Sequence, residues 1–97
     1  MYGTVAQIKV KPGQMDELVS LTEEFTRTRG SNIKGFVAGY LYRLDNDPDG
    51  AIMAVVFEDK TSYLANADDP EQDKEFRRLR ECMAADPIWR DGTVLSM

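Results

Sequence analysis

The chain has 97 residues, of which 42% are hydrophobic and 30% are charged, so it suits one globular domain over residues 1–97. The net charge of −5 argues against nucleic acid and anionic membranes as partners, because both require a concentrated positive field. The only cysteine, Cys82, excludes an intramolecular disulfide, and Met1 to Val10 lacks the layout of a signal peptide, so we expect a soluble cytoplasmic protein.

The first third of the chain shows a strand pattern followed by a helix pattern. Apolar and polar residues alternate from Thr4 to Val10, which predicts a half-buried strand that ends at Lys11-Pro12-Gly13. A helix is expected next, and Gly30 is suited to close it in the left-handed conformation. The side chains that recur at helical spacing are Met15, Leu18, Val19, Thr22 and Phe25.

The middle of the chain predicts a β-hairpin. Two β-prone runs, 36–44 and 51–58, are joined by an acidic turn at 45–50. Large apolar residues occupy both alternations of these runs, which indicates a sheet covered on both faces. Because the helices can cover only one face, we expect a homodimer through the other sheet face. The apolar residues are Phe36, Tyr40, Tyr42, Met53, Val55 and Phe57 in one set, and Val37, Leu41, Ile52 and Val56 in the other.

The last third predicts a short helical turn over 61–67 and a longer helix that opens at Asp69-Pro70 and stops before Pro87. Asp91-Gly92 is interpreted as a turn before a last strand over 93–97. The order strand, helix, strand, strand, helix, strand predicts an α+β fold of the ferredoxin-like βαββαβ type, with a four-stranded antiparallel sheet and both helices on one side. The inward side chains of the longer helix are expected to be Phe76, Leu79, Arg80 and Met83.

Several kinds of chemistry are disfavoured by what the sequence contains. With no histidine and one cysteine, the usual zinc, copper and haem ligand sets cannot be built, so we expect no metal and no cofactor. Asp45, Asp47 and Asp49 resemble the start of a calcium loop, but Val56 stands where its bidentate glutamate belongs, so an acidic turn is the favoured interpretation. A small buried or half-buried thiol, rather than a reactive one, is the favoured interpretation of Cys82.

A set of amphipathic aromatic and amide residues suits a pocket for a flat organic molecule, because rings supply apolar area while OH and NH groups fix orientation. Each also has a structural interpretation: Tyr40 and Tyr42 as core or interface residues, Trp89 as a packing residue in a turn, and Tyr63 with Asn66 as packing and capping groups. The full set is Tyr40, Tyr42, Tyr63, Asn66 and Trp89, with Arg43 and Arg90.

The layout resembles a known family. The chain is similar to the antibiotic biosynthesis monooxygenase superfamily of dimeric α+β barrels. The similarity lies in the first strand running into Lys11-Pro12-Gly13, the amphipathic helix, the hairpin, the junction Phe57 to Asn66 and the C-terminal strand. The resemblance implies a homodimer whose sheets face each other, with a cavity between sheet and helices in each subunit. The haem-degrading branch uses a histidine ligand that this chain lacks, so that role does not carry over.

The resemblance further implies a cofactor-independent monooxygenase acting on a small aromatic, polyketide-like or quinol substrate. Asn66, Tyr63 and Trp89 match the residue types implicated in catalysis, and Tyr40, Tyr42 and Arg43 are the candidate substrate-binding residues. The alternative is a non-catalytic dimeric module that binds a small ligand or assembles. A sheet-to-helix cavity of ~300 Å³ or more favours ligand chemistry, whereas a filled core favours assembly.

Overall fold

The structure, a computed structural model, describes residues 1–97. Its four strands pair antiparallel in the order β2-β3-β1-β4, and its helices cover one face of the sheet. The α+β ferredoxin-like fold expected from the sequence is therefore confirmed, and none of the helices has the length and apolar character needed to cross a membrane. The elements are β1 (Tyr2–Lys9), α1 (Met15–Arg29), a 3-10 helix (Gly30–Asn32), β2 (Phe36–Arg43), β3 (Gly50–Phe57), α2 (Lys60–Ala67), α3 (Pro70–Arg80) and β4 (Ile88–Thr93).

The strand register sorts the side chains under the helices into four rows. We call this covered side the inner face and the opposite side the outer face, because alternate residues of a strand point to opposite sides. From one end of the sheet to the other, the inner rows are Arg43, Ala51 and Ile8 (row one); Leu41, Met53, Ala6 and Trp89 (row two); Gly39, Val55, Thr4 and Asp91 (row three); and Phe36, Phe57, Tyr2 and Thr93 (row four).

The packed core lies at the row-one end of the sheet. Leu18 of α1 and Met83 are fully shielded from solvent there, and Cys82 is 3% exposed, which confirms the buried thiol. Burial is the main cause that raises the pKa of Cys82. The complete cluster is Ala6, Ile8, Val10, Met15, Leu18, Ala51, Leu79, Cys82 and Met83. This end of the domain is filled, which leaves any ligand space to the middle rows.

A bulge in β2 sets which of its side chains face the helices. The register shifts between Phe36 and Ala38, so Val37 is an extra residue opposite β3. Because one extra residue reverses the alternation, Phe36 and Leu41 both face inward, although their spacing in a regular strand would separate them. Tyr40 and Tyr42 consequently belong to the outer face, where they pair with Ala54 and Ile52.

Two caps and one glycine fix the position of α2 and α3. The Asp59 carboxylate accepts from the backbone N–H of Ser62 at 2.8 Å, and Asp69 accepts from Glu71 at 2.9 Å. Gly35, with φ of 80°, lies beside the start of α2, where an added Cβ would be 2.5 Å from the Ser62 Cβ. This close approach lets α2 lie over the row-four end of the sheet.

Three boundaries differ from the sequence interpretation. The last strand is Ile88–Thr93 rather than 93–97, since β1 pairs with Trp89 through Thr93 and draws Asp91-Gly92 into the ladder. Gly30 has φ of −52° and starts the 3-10 helix, so it continues a right-handed path instead of closing α1. The helix that opens at Pro70 ends at Arg80, and Met83 follows it in an isolated bridge to Val10.

Candidate functional site

A cavity of about 960 Å³ lies between the inner face of the sheet and the three α-helices. Its floor is formed by rows two and three, including Leu41, Met53 and Val55. Row four and α2 supply an aromatic cluster at one end: Tyr63 packs edge-on against Tyr2 and Phe57, with centroid distances of 5.3 Å and 5.7 Å. The cavity therefore lies between this aromatic cluster and the filled core at row one.

Five of the seven residues singled out from the sequence border this cavity. Tyr63 and Asn66 reach it from α2, Trp89 from β4, and Tyr40 and Arg43 from β2. Tyr63, Asn66 and Trp89 thus line one cavity, which the sequence could not establish. Tyr40, although it borders the cavity, is 61% exposed and belongs by register to the outer face.

Tyr42 and Arg90 are the two candidates that the structure does not bring to the cavity. Tyr42 pairs with Ile52 on the outer face and is 58% exposed, and Arg90 pairs with Val5, which also belongs to the outer face. The β2 bulge explains the position of Tyr42, because six residues of regular strand would put Tyr42 on the same side as the inward-facing Phe36, and the extra residue Val37 reverses that side.

Arg43 lies at the rim of the cavity in row one. Its guanidinium donates to the Asp16 carboxylate of α1 at 2.9 Å, and both side chains are largely exposed. An exposed pair of this kind contributes little to stability and exchanges readily with solvent. The Arg43 guanidinium therefore links the rim of the cavity to the start of α1 and is not a free cation inside the cavity.

The polar part of the cavity is built from Tyr63, Asp91 and Thr4. The Tyr63 hydroxyl donates to Asp91 Oδ1 at 2.9 Å. Burial, followed by this bond to the carboxylate, raises the pKa of Tyr63 to about 12, so the side chain is a neutral donor at physiological pH. Thr4 Oγ1 lies close enough to Tyr63 to act on its pKa in the opposite direction, but it makes no hydrogen bond of standard geometry.

Trp89 forms an aromatic wall together with Phe76 of α3. Their ring centroids are 5.8 Å apart and the ring planes are tilted by 51°. Trp89 is 45% exposed, so part of its indole is available to a ligand. Because this is the only tryptophan of the chain, its fluorescence reports on this wall alone.

The sequence interpretation missed two groups of the polar part. Asp91 was assigned to a turn because Asp-Gly pairs favour turns, whereas the alternation of Trp89, Asp91 and Thr93 is the strand signal that identifies it. Thr4 occupies an inward-facing position of β1, on the same side of the strand as the buried Ala6 and Ile8. A polar residue at an inward position of a strand is the signal that marks it.

Metal ligation has no support around this cavity. Nowhere in the chain do three or more His, Cys, Asp or Glu side chains converge on a point that could hold a metal ion. The polar groups that border the cavity are hydroxyls, amides, carboxylates and guanidinium groups. Such groups bind and orient an organic ligand through hydrogen bonds.

Fold and cavity together define a ferredoxin-like α+β domain with a ligand-sized space between its sheet and its helices. The sequence model of one family, described as antibiotic biosynthesis monooxygenase, matches residues 1–78, and the chain therefore belongs to this family. The matched segment ends within α3, so Trp89 and Asp91 lie beyond it.

Solved structures of other proteins share the fold. A protein of Chloroflexus aurantiacus J-10-fl is 20% identical with a TM-score of 0.80, over 99% of this chain and 94% of that one. A protein of Caulobacter crescentus CB15 is 15% identical with a TM-score of 0.85, over 98% and 90%. SnoaB of Streptomyces nogalater, a cofactor-independent oxygenase, is 18% identical with a TM-score of 0.83, over 99% and 94%. At these identities the similarity establishes the fold alone, and no curated protein matches the sequence.

Proposed function

We propose that the protein is a cofactor-independent monooxygenase that acts on a small aromatic, polyketide-like or quinol substrate in the sheet–helix cavity. The cavity is the observation that carries this proposal: its volume of about 960 Å³ lies in the range of small-molecule sites, and 13 of its 24 lining residues are hydrophobic. Family membership supports the reaction class, and SnoaB, which shares the fold, is described as a cofactor-independent oxygenase.

The substrate itself supplies the reducing power in this reaction. A CH₂ group between phenolic rings loses a proton, and the resulting carbanion passes one electron to O₂. The carbon radical and superoxide combine to form a C–O bond, and protonation gives a hydroperoxide. The O–O bond then breaks as the remaining C–H proton leaves, so one oxygen atom becomes a ketone and the other leaves as water. The reaction CH₂ + O₂ → C=O + H₂O balances without a further reductant.

The proposed roles follow from the position of each residue on the cavity wall. Asn66 donates a hydrogen bond to a substrate oxygen and stabilises the charge that develops on deprotonation. The Tyr63 proton is donated to Asp91, so the Tyr63 oxygen holds the substrate by accepting from one of its hydroxyl groups. Trp89, with Phe76 behind it, provides the flat apolar wall for the rings. Arg43 is a rim group in this proposal, because its guanidinium is paired with Asp16.

The proposal is tested by oxygen uptake with an anthrone-type substrate, using protein shown by absorbance to carry no flavin. We expect one O₂ consumed for each ketone formed, without hydrogen peroxide, at a rate above that of the uncatalysed reaction. Asn66→Ala should lower the rate by about 10²-fold, as removal of an oxyanion donor does. Asn46→Ala, in the exposed hairpin turn, is the matched control and should leave it unchanged. A full rate in Asn66→Ala and Tyr63→Phe would remove these two roles.

The alternative of a module that only assembles is less well supported. An assembly module needs a filled core, whereas the space beside rows two and three exceeds the ~300 Å³ that separates the two hypotheses. A binding module without turnover would bind an anthrone-type compound in this cavity and consume no oxygen. The oxygen-uptake experiment, paired with a binding measurement, therefore separates the enzyme from the binding module.

We further infer that the chain forms a homodimer through the outer face of its sheet. Val5, Tyr40 and Tyr42 are each about half or more exposed there, and Ile88 is 52% exposed. Large contiguous apolar surfaces on small proteins mark interaction sites. A second copy is the favoured cover, because a sheet with apolar residues on both faces is normally covered on both.

A further inference from the structure

The polar part of the cavity joins three side chains from three different elements. Thr4 and Asp91 are direct partners across β1 and β4 in row three, which brings the Cβ atoms of such a pair to about 5 Å. Tyr63 of α2 approaches both and donates to the Asp91 carboxylate at 2.9 Å. We call these three residues the hydroxyl cluster. Thr4 is its buried member and Asp91 its exposed member, so the cluster extends from the interior towards the edge of β4.

Two buried polar atoms on the cavity wall have no partner within the chain. Thr4 Oγ1 is one of them, in a residue that is only 6% exposed, and the amide oxygen of Gln72 on α3 is the other. Buried polar atoms are nearly always hydrogen-bonded in folded proteins, so each exception calls for an explanation. Both residues border the cavity, and a ligand placed there would bring polar atoms within their reach.

The chemistry of the cluster selects among ligand groups. The Asp91 carboxylate accepts hydrogen bonds only, and the Tyr63 hydroxyl occupies just one of its acceptor positions. Because the pKa of Tyr63 is raised to about 12, that hydroxyl stays protonated and keeps donating to Asp91. The remaining positions on Asp91 therefore suit a ligand donor, whereas an anionic ligand group would be repelled. Thr4 Oγ1 can both donate and accept, so it complements a group that does the same.

We propose that the hydroxyl cluster is the specificity determinant of the cavity and that it selects neutral aromatic ligands carrying a free hydroxyl group, which donates to Asp91 and accepts from Thr4. This inference rests on the proposed function for the location of the ligand and adds the residues that recognise its hydroxyl group. An ether lacks the donor that Asp91 requires, and a carboxylate meets a like charge. Both are rejected for reasons independent of ring size.

The test is calorimetric titration at pH 7 with three ligands of one ring system: 2-naphthol, 2-methoxynaphthalene and 2-naphthoate. Wild type should bind 2-naphthol about 10- to 100-fold more tightly than the methyl ether, the range expected for a hydrogen bond to a charged group. Binding of 2-naphthoate should be weaker than that of 2-naphthol. Asp91→Asn should reduce the preference over the ether at least fivefold and improve 2-naphthoate binding.

Two further variants make the result specific. Thr4→Val should reduce the preference for 2-naphthol while leaving the affinity for the ether unchanged. Asp45→Asn, an equal change of charge in the exposed hairpin turn, should reproduce wild type with all three ligands. Circular dichroism verifies that each variant is folded.

The outcomes separate this inference from the proposed function. Equal affinities for 2-naphthol and its ether in wild type, or a preference unchanged in Asp91→Asn, would overturn the hydroxyl cluster as specificity determinant even if oxygen uptake is observed. If no oxygen is consumed but the preference for 2-naphthol over its ether is observed, the oxygenase is overturned and the hydroxyl cluster stands as specificity determinant. A folded protein that binds none of the three ligands would overturn the specificity determinant, while oxygen uptake decides the oxygenase separately.

Discussion

Thr4→Val should stabilise the protein while weakening its function. The substitution replaces the Thr4 hydroxyl by a methyl group of similar volume and keeps a β-branched side chain in the central strand β1. In the folded chain Thr4 is only 6% exposed and its buried hydroxyl makes no hydrogen bond, whereas in the unfolded chain this hydroxyl is fully hydrated. Removing it therefore removes a desolvation cost that only the folded state carries.

The size of the effect follows from the surroundings of that hydroxyl. A buried polar group without a partner costs about 1–3 kcal/mol. Because Thr4 borders a cavity and lies beside Tyr63, we expect the lower end, a gain of about 1 kcal/mol in the free energy of unfolding. For a domain of this size such a gain corresponds to a rise of about 4–8 °C in Tm.

Urea unfolding followed by circular dichroism, at equal protein concentrations, measures this gain. Thr93→Val is the matched control: the same substitution on a strand, at an exposed position, should change stability by less than about 0.5 kcal/mol. A loss of about 1 kcal/mol or more in Thr4→Val would show that the hydroxyl is hydrogen-bonded in the native protein. In that case it would not be an open group for a ligand.

Three other predictions concern separate parts of the molecule. In an alkaline titration followed by phenolate absorbance, the last tyrosine should ionise near pH 12 in wild type and be missing in Tyr63→Phe. Since its folded pKa is raised from 10.0, Tyr63 stabilises the fold below pH 10 and this contribution is lost towards pH 12, so wild type should lose more stability over that interval than Tyr63→Phe. Cys82, 3% exposed, should react with a thiol reagent only after urea unfolding, and rapid reaction of the native protein would contradict its burial. Val5→Glu on the outer face should convert a dimer into a monomer in light scattering, whereas Ser20→Glu on the exposed side of α1 should not; a monomeric wild type would contradict the dimer.

Local patterns in the sequence were sufficient for most of the fold. The alternation around Ala6 and Ile8 predicts the buried face of β1, and the helical spacing of Met15 and Leu18 predicts the buried face of α1. The structure buries these same faces. The start of α3 was predicted from Asp69 and Pro70 because a capping carboxylate and a proline act within one turn of the helix.

The rest depends on interactions between distant segments. Asp91 and Gly92 have turn propensity, but pairing with β1 outweighs that propensity and holds them in a strand. The bulge at Val37 has no signal in the sequence, since it is defined by the register against β3, and it decided the orientation of Tyr42.

The candidate site was predictable only in part, because it too depends on interactions between distant segments. Residue type was sufficient to nominate Tyr63, Asn66 and Trp89, because amphipathic aromatic and amide groups suit a ligand pocket. Thr4 and Asp91 are identified as site residues only because they are partners across two strands that are distant in sequence. The space itself depends on how far α1 and α3 stand from rows two and three, which no local pattern encodes.

A crystal structure of the protein with a stable product-type ligand, 1,8-dihydroxyanthraquinone, tests most directly whether the sheet–helix cavity is the ligand site. We expect the rings to lie over Met53 and Val55 against Trp89, with one hydroxyl within hydrogen-bond distance of Asp91. Ligand density on the outer face of the sheet, or an unchanged cavity in crystals soaked well above the affinity measured in solution, would contradict this assignment.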